Sequence, residues 1–89
     1  MLKIGHSRFL EEEAFKKKMF QARPGEAVIY FVGDLAYEDC TATEHENWKS
    51  MRATAKAAFT NSAFRRLYLT QRRVGPSKWE YLATKAMNY

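Results

Sequence analysis

The sequence predicts a small α+β domain, a single unit over residues 1–89, in the order helix, strand, short helix, helix, strand, strand. Three observations predict it. The run AVIYFVG at 27–33 is rich in β-formers and closes on a glycine. The segment TEHENWKSMRATAKAAF repeats its apolar residues at helical spacing. The last third, LYLTQRRVGPSKWEYLATKA, reads as two strands around a Gly-Pro turn.

Taken in order, Ser7 is placed to cap a first helix from Arg8 to Ala22. Glu12 stands four residues before Lys16 and Glu13 four before Lys17, the favourable orientation for intrahelical ion pairs. The basic run Lys16–Lys18 is thereby explained as a solvated helix face. Phe9, Leu10, Phe15, Met19 and Phe20 supply its apolar contacts. Arg23-Pro24-Gly25 ends the helix. After the strand at 27–33, Asp34 is placed to cap a short turn through LAYED. Thr43, with Glu46 three residues on, has the capping-box pattern for the long helix, which runs to Asn61-Ser62. Trp48, Met51, Ala55, Ala58 and Phe59 share one face of it; Lys49, Arg52 and Lys56 lie together beside that face.

The closing hairpin spans about 66–74 and 78–85, joined by Gly-Pro-Ser. If Val74 pairs with Trp79, Arg73 faces Glu80 as a cross-strand ion pair and Arg72 faces Tyr81 as a cation–π pair. On this register Arg73 is engaged by its own hairpin, and Arg72 and Lys78 are the freer cations at the tip.

Charge divides the chain. Residues 1–46 carry six bases and nine acids; residues 47–89 carry nine bases and one acid, Glu80, and the whole chain is +5. A half nearly free of acids sets up a directed positive field, the footprint of a polyanion partner. The 15% aromatic content argues for a packed core. Cys40 is the single cysteine, so no intramolecular disulfide is expected. The longest apolar run, Ala27 to Val32, is far too short to span a bilayer, and the first residues do not read as a signal peptide. A cytoplasmic location is expected by elimination.

No enzyme is expected. Cys40 and His45 stand five residues apart, but a nucleophile needs an activating base in reach and a structural zinc needs four ligands. Gly25 and Gly33 are isolated and form no phosphate loop. No cofactor or metal is expected.

With these residues in view, LYLTQRRVGPSKWEYLATKA resembles the wing hairpin of winged helix-turn-helix proteins, and AVIYFVGDLA resembles the short strand that joins such a sheet. The chain also resembles small uncharacterised phage and prophage proteins with an IYxxGxLA segment, a helix and a QRR–Gly–Tyr hairpin. The resemblance covers about two thirds of the chain. It departs from the winged-helix pattern at Asp34–Ala42, which is short and acidic where a second helix is expected.

The resemblance implies a winged-helix-like fold and double-stranded DNA as partner, for a phage regulator or recombination accessory in the host cytoplasm, monomeric or homodimeric. The Thr43–Asn61 helix would meet the major groove through Lys49, Arg52 and Lys56. Arg72 and Lys78 on the wing would reach the minor groove or backbone, and Arg65 and Arg66 at the hairpin base would contact phosphates. Arg73 belongs to the same candidate set. Glu44 and Glu46 at the helix start oppose phosphate approach. The alternative is a protein-interaction module, such as a phage-encoded inhibitor of a host defence complex, docking through Tyr68, Trp79 and Tyr89.

Overall fold

The structure, a computed structural model, describes residues 1–87. Tyr89, a candidate docking residue, lies outside them. The elements are β1 (Leu2–Ile4), β2 (Ser7–Phe9), α1 (Glu12–Gln21), β3 (Ala27–Gly33), α2 (Leu35–Thr41), α3 (Trp48–Ala63), β4 (Leu67–Gly75) and β5 (Lys78–Lys85). The fold is α+β. One antiparallel sheet has the order β1-β2-β3-β5-β4, and the helices pack on one face of it.

From α1 onward the order is the expected one. The N-terminus differs: a hairpin precedes the helix. In LKIGHSRF, Ile4 pairs with Ser7 across the turn Gly5-His6. Gly5 adopts φ 58°, the left-handed conformation that glycine supplies at a two-residue hairpin turn. Ser7 is therefore a buried strand residue and not a helix cap, and α1 starts at Glu12. The Glu12–Lys16 pair forms at 2.9 Å, and this contact raises the Lys16 pKa.

β3 runs as expected from Ala27 to Gly33, with a bulge between Ile29 and Phe31. The bulge lets both Tyr30 and Phe31 be buried. Phe15 packs edge-on against Tyr30 at 5.4 Å between ring centroids, and Phe31 against Tyr81 at 5.5 Å. Ile4, Phe9, Met51, Ala58, Leu67 and Ala83 complete the centre of the core.

Asp34 caps α2 as expected, accepting from the Tyr37 N–H at 3.1 Å. The long helix starts later than the capping-box pattern predicts, at Trp48 and not after Thr43. Residues 43–47 form turns, and Asn47 Nδ2 donates to the Lys3 carbonyl at 2.6 Å. A tertiary bond to β1 thus sets the helix start. The buried face of α3 is Met51, Thr54, Ala57 and Ala58. Thr54 enters the core because its hydroxyl donates to the Leu10 carbonyl at 2.6 Å, so no polar group is stranded. This rotates the helix away from the expected face, and Phe59, assigned to the core from periodicity, is 71% exposed.

Candidate nucleic-acid interface

The candidate cations fall into three groups. Lys49, Arg52 and Lys56 lie one turn apart along α3 and line a groove of about 850 Å³ between α2, α3 and the sheet. Tyr30, Leu69, Gln71 and Tyr81 form its sheet side, and Phe59 stands at its rim. Arg52 is held in place: its Nε lies 3.4 Å from Asp39 Oδ1 on α2, and its guanidinium sits over the Trp48 ring at 5.3 Å. Asp39 therefore offsets one of the three helix charges. Lys49 and Lys56 are exposed, with no acid within ion-pair distance among the described residues.

The hairpin overturns the expected register. Leu69 pairs with Ala83, Gln71 with Tyr81, Arg72 with Glu80 and Arg73 with Trp79; the register then shifts, and Gly75 pairs with Lys78. Val74 is the extra residue. One unpaired residue moves every partner by one and exchanges the two arginines. Arg72, not Arg73, forms the ion pair with Glu80, and its Nε donates to Oε1 at 3.0 Å. No Arg72–Tyr81 cation–π pair forms; Tyr81 instead accepts from the Leu35 N–H through its hydroxyl at 3.2 Å. Arg73 donates only weakly to the Gly75 carbonyl, at 3.3 Å. It is the freer of the two.

Strand alternation separates them further. Leu67 and Leu69 face the helices, so Arg73 points to the helix side of β4, and Arg72 points to the opposite side of the sheet. Lys78, beyond the turn Pro76-Ser77, lines a different cleft with His6, Asp34 and Glu38. Trp79 is half-buried within the sheet. The eight candidates therefore do not form one patch.

The third group sits where α3 meets β4. The Arg66 N–H bonds the Asn61 carbonyl and the Arg65 N–H bonds the Ser62 carbonyl, the paired bonds of a Schellman helix end. The residue after such a cap adopts a left-handed conformation and is usually glycine. Here it is Arg65, at φ 58°. A side chain is kept where the backbone favours none. Arg66 lies over the Phe64 ring at 5.7 Å.

Sequence reasoning missed the groove itself. Asp39, Phe59 and Gln71 come together only through the packing of α2, α3 and β4, and no spacing in the sequence announces it. It also missed the buried pair behind the Lys78 cleft. Ser7 Oγ donates to Glu38 Oε1 at 3.2 Å, and Glu38 is 95% removed from solvent. Two glycines make room for it. A Cβ on Gly5 would lie 2.8 Å from the Glu38 carboxylate, and one on Gly33 would overlap Ser7. Cys40 is exposed on α2, and among the described residues no cluster of three or more His, Cys, Asp and Glu is placed to hold a metal ion. No described helix is long and apolar enough to cross a membrane.

Comparison with family models, with curated proteins and with solved structures finds no match.

Proposed function

We propose that this chain is a small nucleic-acid-binding protein that takes double-stranded DNA along α3 and the β4–β5 hairpin, in the manner of a winged helix-turn-helix domain. The element order α1, β3, α2, α3, β4, β5 and the sheet neighbours β3-β5-β4 support the winged-helix reading. The observation that carries it is a set of cations on the helix side of the sheet with no acid partner among the described residues: Lys49 and Lys56 on α3 and Arg73 near the hairpin tip. These three would neutralise phosphates first. Arg52 must leave Asp39, and Arg72 must leave Glu80, before either can act. Arg65 and Arg66, a separate group at the end of α3, would add phosphate contacts there. A phage regulator or recombination accessory is the biological role that fits this reading.

The test is fluorescence anisotropy with random duplex DNA at about 50 and 200 mM salt, where phosphate contacts lose affinity steeply. Binding that collapses with salt, and weakens in Lys49→Ala, Lys56→Ala and Arg73→Ala, supports the proposal. Salt-insensitive binding, or none, overturns it. The apolar sheet side of the groove and the exposed Phe59 favour one second reading, a protein inhibitor that docks on a host complex through this groove. Phe59→Ala would then abolish partner binding while the cation variants would not.

A further inference from the structure

Among the described residues nothing covers the sheet face opposite the helices, and the strand registers organise it. One row crosses all five strands: Lys3, Arg8, Val32, Glu80 and Arg72. The next holds Ile29, Leu82 and Thr70, and the third Ala27, Thr84 and Tyr68. The two central strands thus present the aliphatic residues Val32, Ile29 and Leu82. Cations stand on either side, Lys3 and Arg8 on the β1–β2 flank and Arg72 on the β4 flank. Glu80 is the one acid in these rows, and Arg72 pairs with it. Beside Ile29 and Val32 lies a shallow concavity of about 430 Å³, lined also by Met1, Leu10 and Lys18.

We propose that this face docks an acidic amphipathic helix of another protein, laid along β3 and β5. Dimensions and charge both select that occupant. Neighbouring strands are about 4.8 Å apart, so the row from Lys3 to Arg72 spans about 19 Å. A helix with its side chains is about 10–12 Å across. Seated over the two central strands, it puts its apolar stripe on Ile29, Val32 and Leu82 and one flank beside Lys3 and Arg8, which have no acid within ion-pair distance among the described residues. An acidic flank matches that rim; on the β4 side Arg72 is already paired with Glu80 and meets an acid of the helix only by leaving it. A second copy of this chain would set cations against cations. A single nucleic-acid strand would need several exposed rings for base stacking, and these rows offer one, Tyr68, on the outer strand. The docking face is separate from the α3 groove and does not depend on the DNA reading.

The probe is a synthetic helical peptide with a leucine stripe flanked on both sides by glutamates, labelled for anisotropy. Its lysine-flanked counterpart is the control. The acidic peptide is expected to bind and the basic one not. The double variant Lys3→Glu/Arg8→Glu changes only exposed side chains, so it should fold. It is expected to weaken the acidic peptide about tenfold, the sum of rim pairs worth about 0.2–1 kcal/mol each and their reversal. A peptide with lysines on one flank and glutamates on the other should regain that affinity on the variant. Lys49→Ala/Lys56→Ala should leave peptide binding unchanged. Equal binding of acidic and basic peptides, no binding of either, loss of binding in the α3 variant, or displacement of the peptide by oligo(dT) or by self-association overturns the proposal.

Discussion

Replacing Gly33 by alanine is expected to be among the most damaging single-methyl changes in this protein. Gly33 ends β3 at φ 142°, a conformation that residues with a side chain rarely adopt. Forcing alanine there costs about 1–3 kcal/mol. The added Cβ would also overlap the Ser7 side chain and lie 3.1 Å from the Ser7 Cα, so backbone as well as side chain must move. Overpacking of this kind costs about a further 1–3 kcal/mol. The total, about 2–6 kcal/mol, is a large part of the ~4–13 kcal/mol expected for a domain of 89 residues. Urea denaturation followed by tryptophan fluorescence measures it. The two contributions separate in a Ser7→Gly background, which removes the side-chain overlap and leaves the backbone cost. The penalty for Gly33→Ala should fall there by about 1–3 kcal/mol. A Gly33→Ala protein within about 0.5 kcal/mol of the parent, or an unchanged penalty in the Ser7→Gly background, would refute the reasoning.

Other outcomes follow from the same structure. Arg65→Gly relieves a left-handed backbone at a Schellman cap and should raise stability by about 1 kcal/mol in urea titration, while lowering DNA affinity if Arg65 contacts phosphate. Thr54→Val leaves the Leu10 carbonyl without its donor and should cost about 1–3 kcal/mol. Burial, and secondarily Tyr81, push the Tyr30 hydroxyl up to about 12 from its usual 10.0. The folded state then holds a proton that the unfolded chain loses. This group leaves stability unchanged below about pH 10, and stability falls as pH rises from 10 toward 12; Tyr30→Phe should flatten that decline in denaturation curves. Arg72→Ala removes an exposed ion pair and should cost at most about 1 kcal/mol, whereas Arg73→Ala should barely alter the denaturation midpoint.

What the sequence made legible was whatever local chemistry controls. β3, with its dense β-formers and closing glycine, and the Asp34 cap of α2 follow from neighbours in the chain. The β4–β5 hairpin is equally visible from its turn. Ser7, Thr43 and Phe59 depart from expectation for one cause, a tertiary contact that outweighs a local signal. Ser7 has the chemistry of a helix cap, yet it is used in a strand, beneath Gly33 and against Glu38. The alternation Leu2, Ile4 and Ser7, Phe9 around Gly5 was the available sign of that hairpin. Thr43 matches a capping box, but the bond from Asn47 to Lys3 starts α3 later. Thr54 displaces Phe59 from the core because Leu10 offers an acceptor. In the candidate site, Lys49, Arg52 and Lys56 follow from helical spacing alone. The partner of each hairpin arginine does not, because Val74 leaves no mark of its bulge in the residue pattern.

The proposed DNA binding by Lys49, Lys56 and Arg73, which have no acid partner among the described residues, is tested most directly by the salt dependence of binding in the parent and in Lys49→Ala/Lys56→Ala/Arg73→Ala. About five neutralised phosphates give a slope of log K against log salt near −4.5, a loss of roughly 500-fold between about 50 and 200 mM. The triple variant should bind more weakly and shallow that slope by about 2.7. A parent that does not bind at low salt, or a triple variant with an unchanged slope, would contradict it.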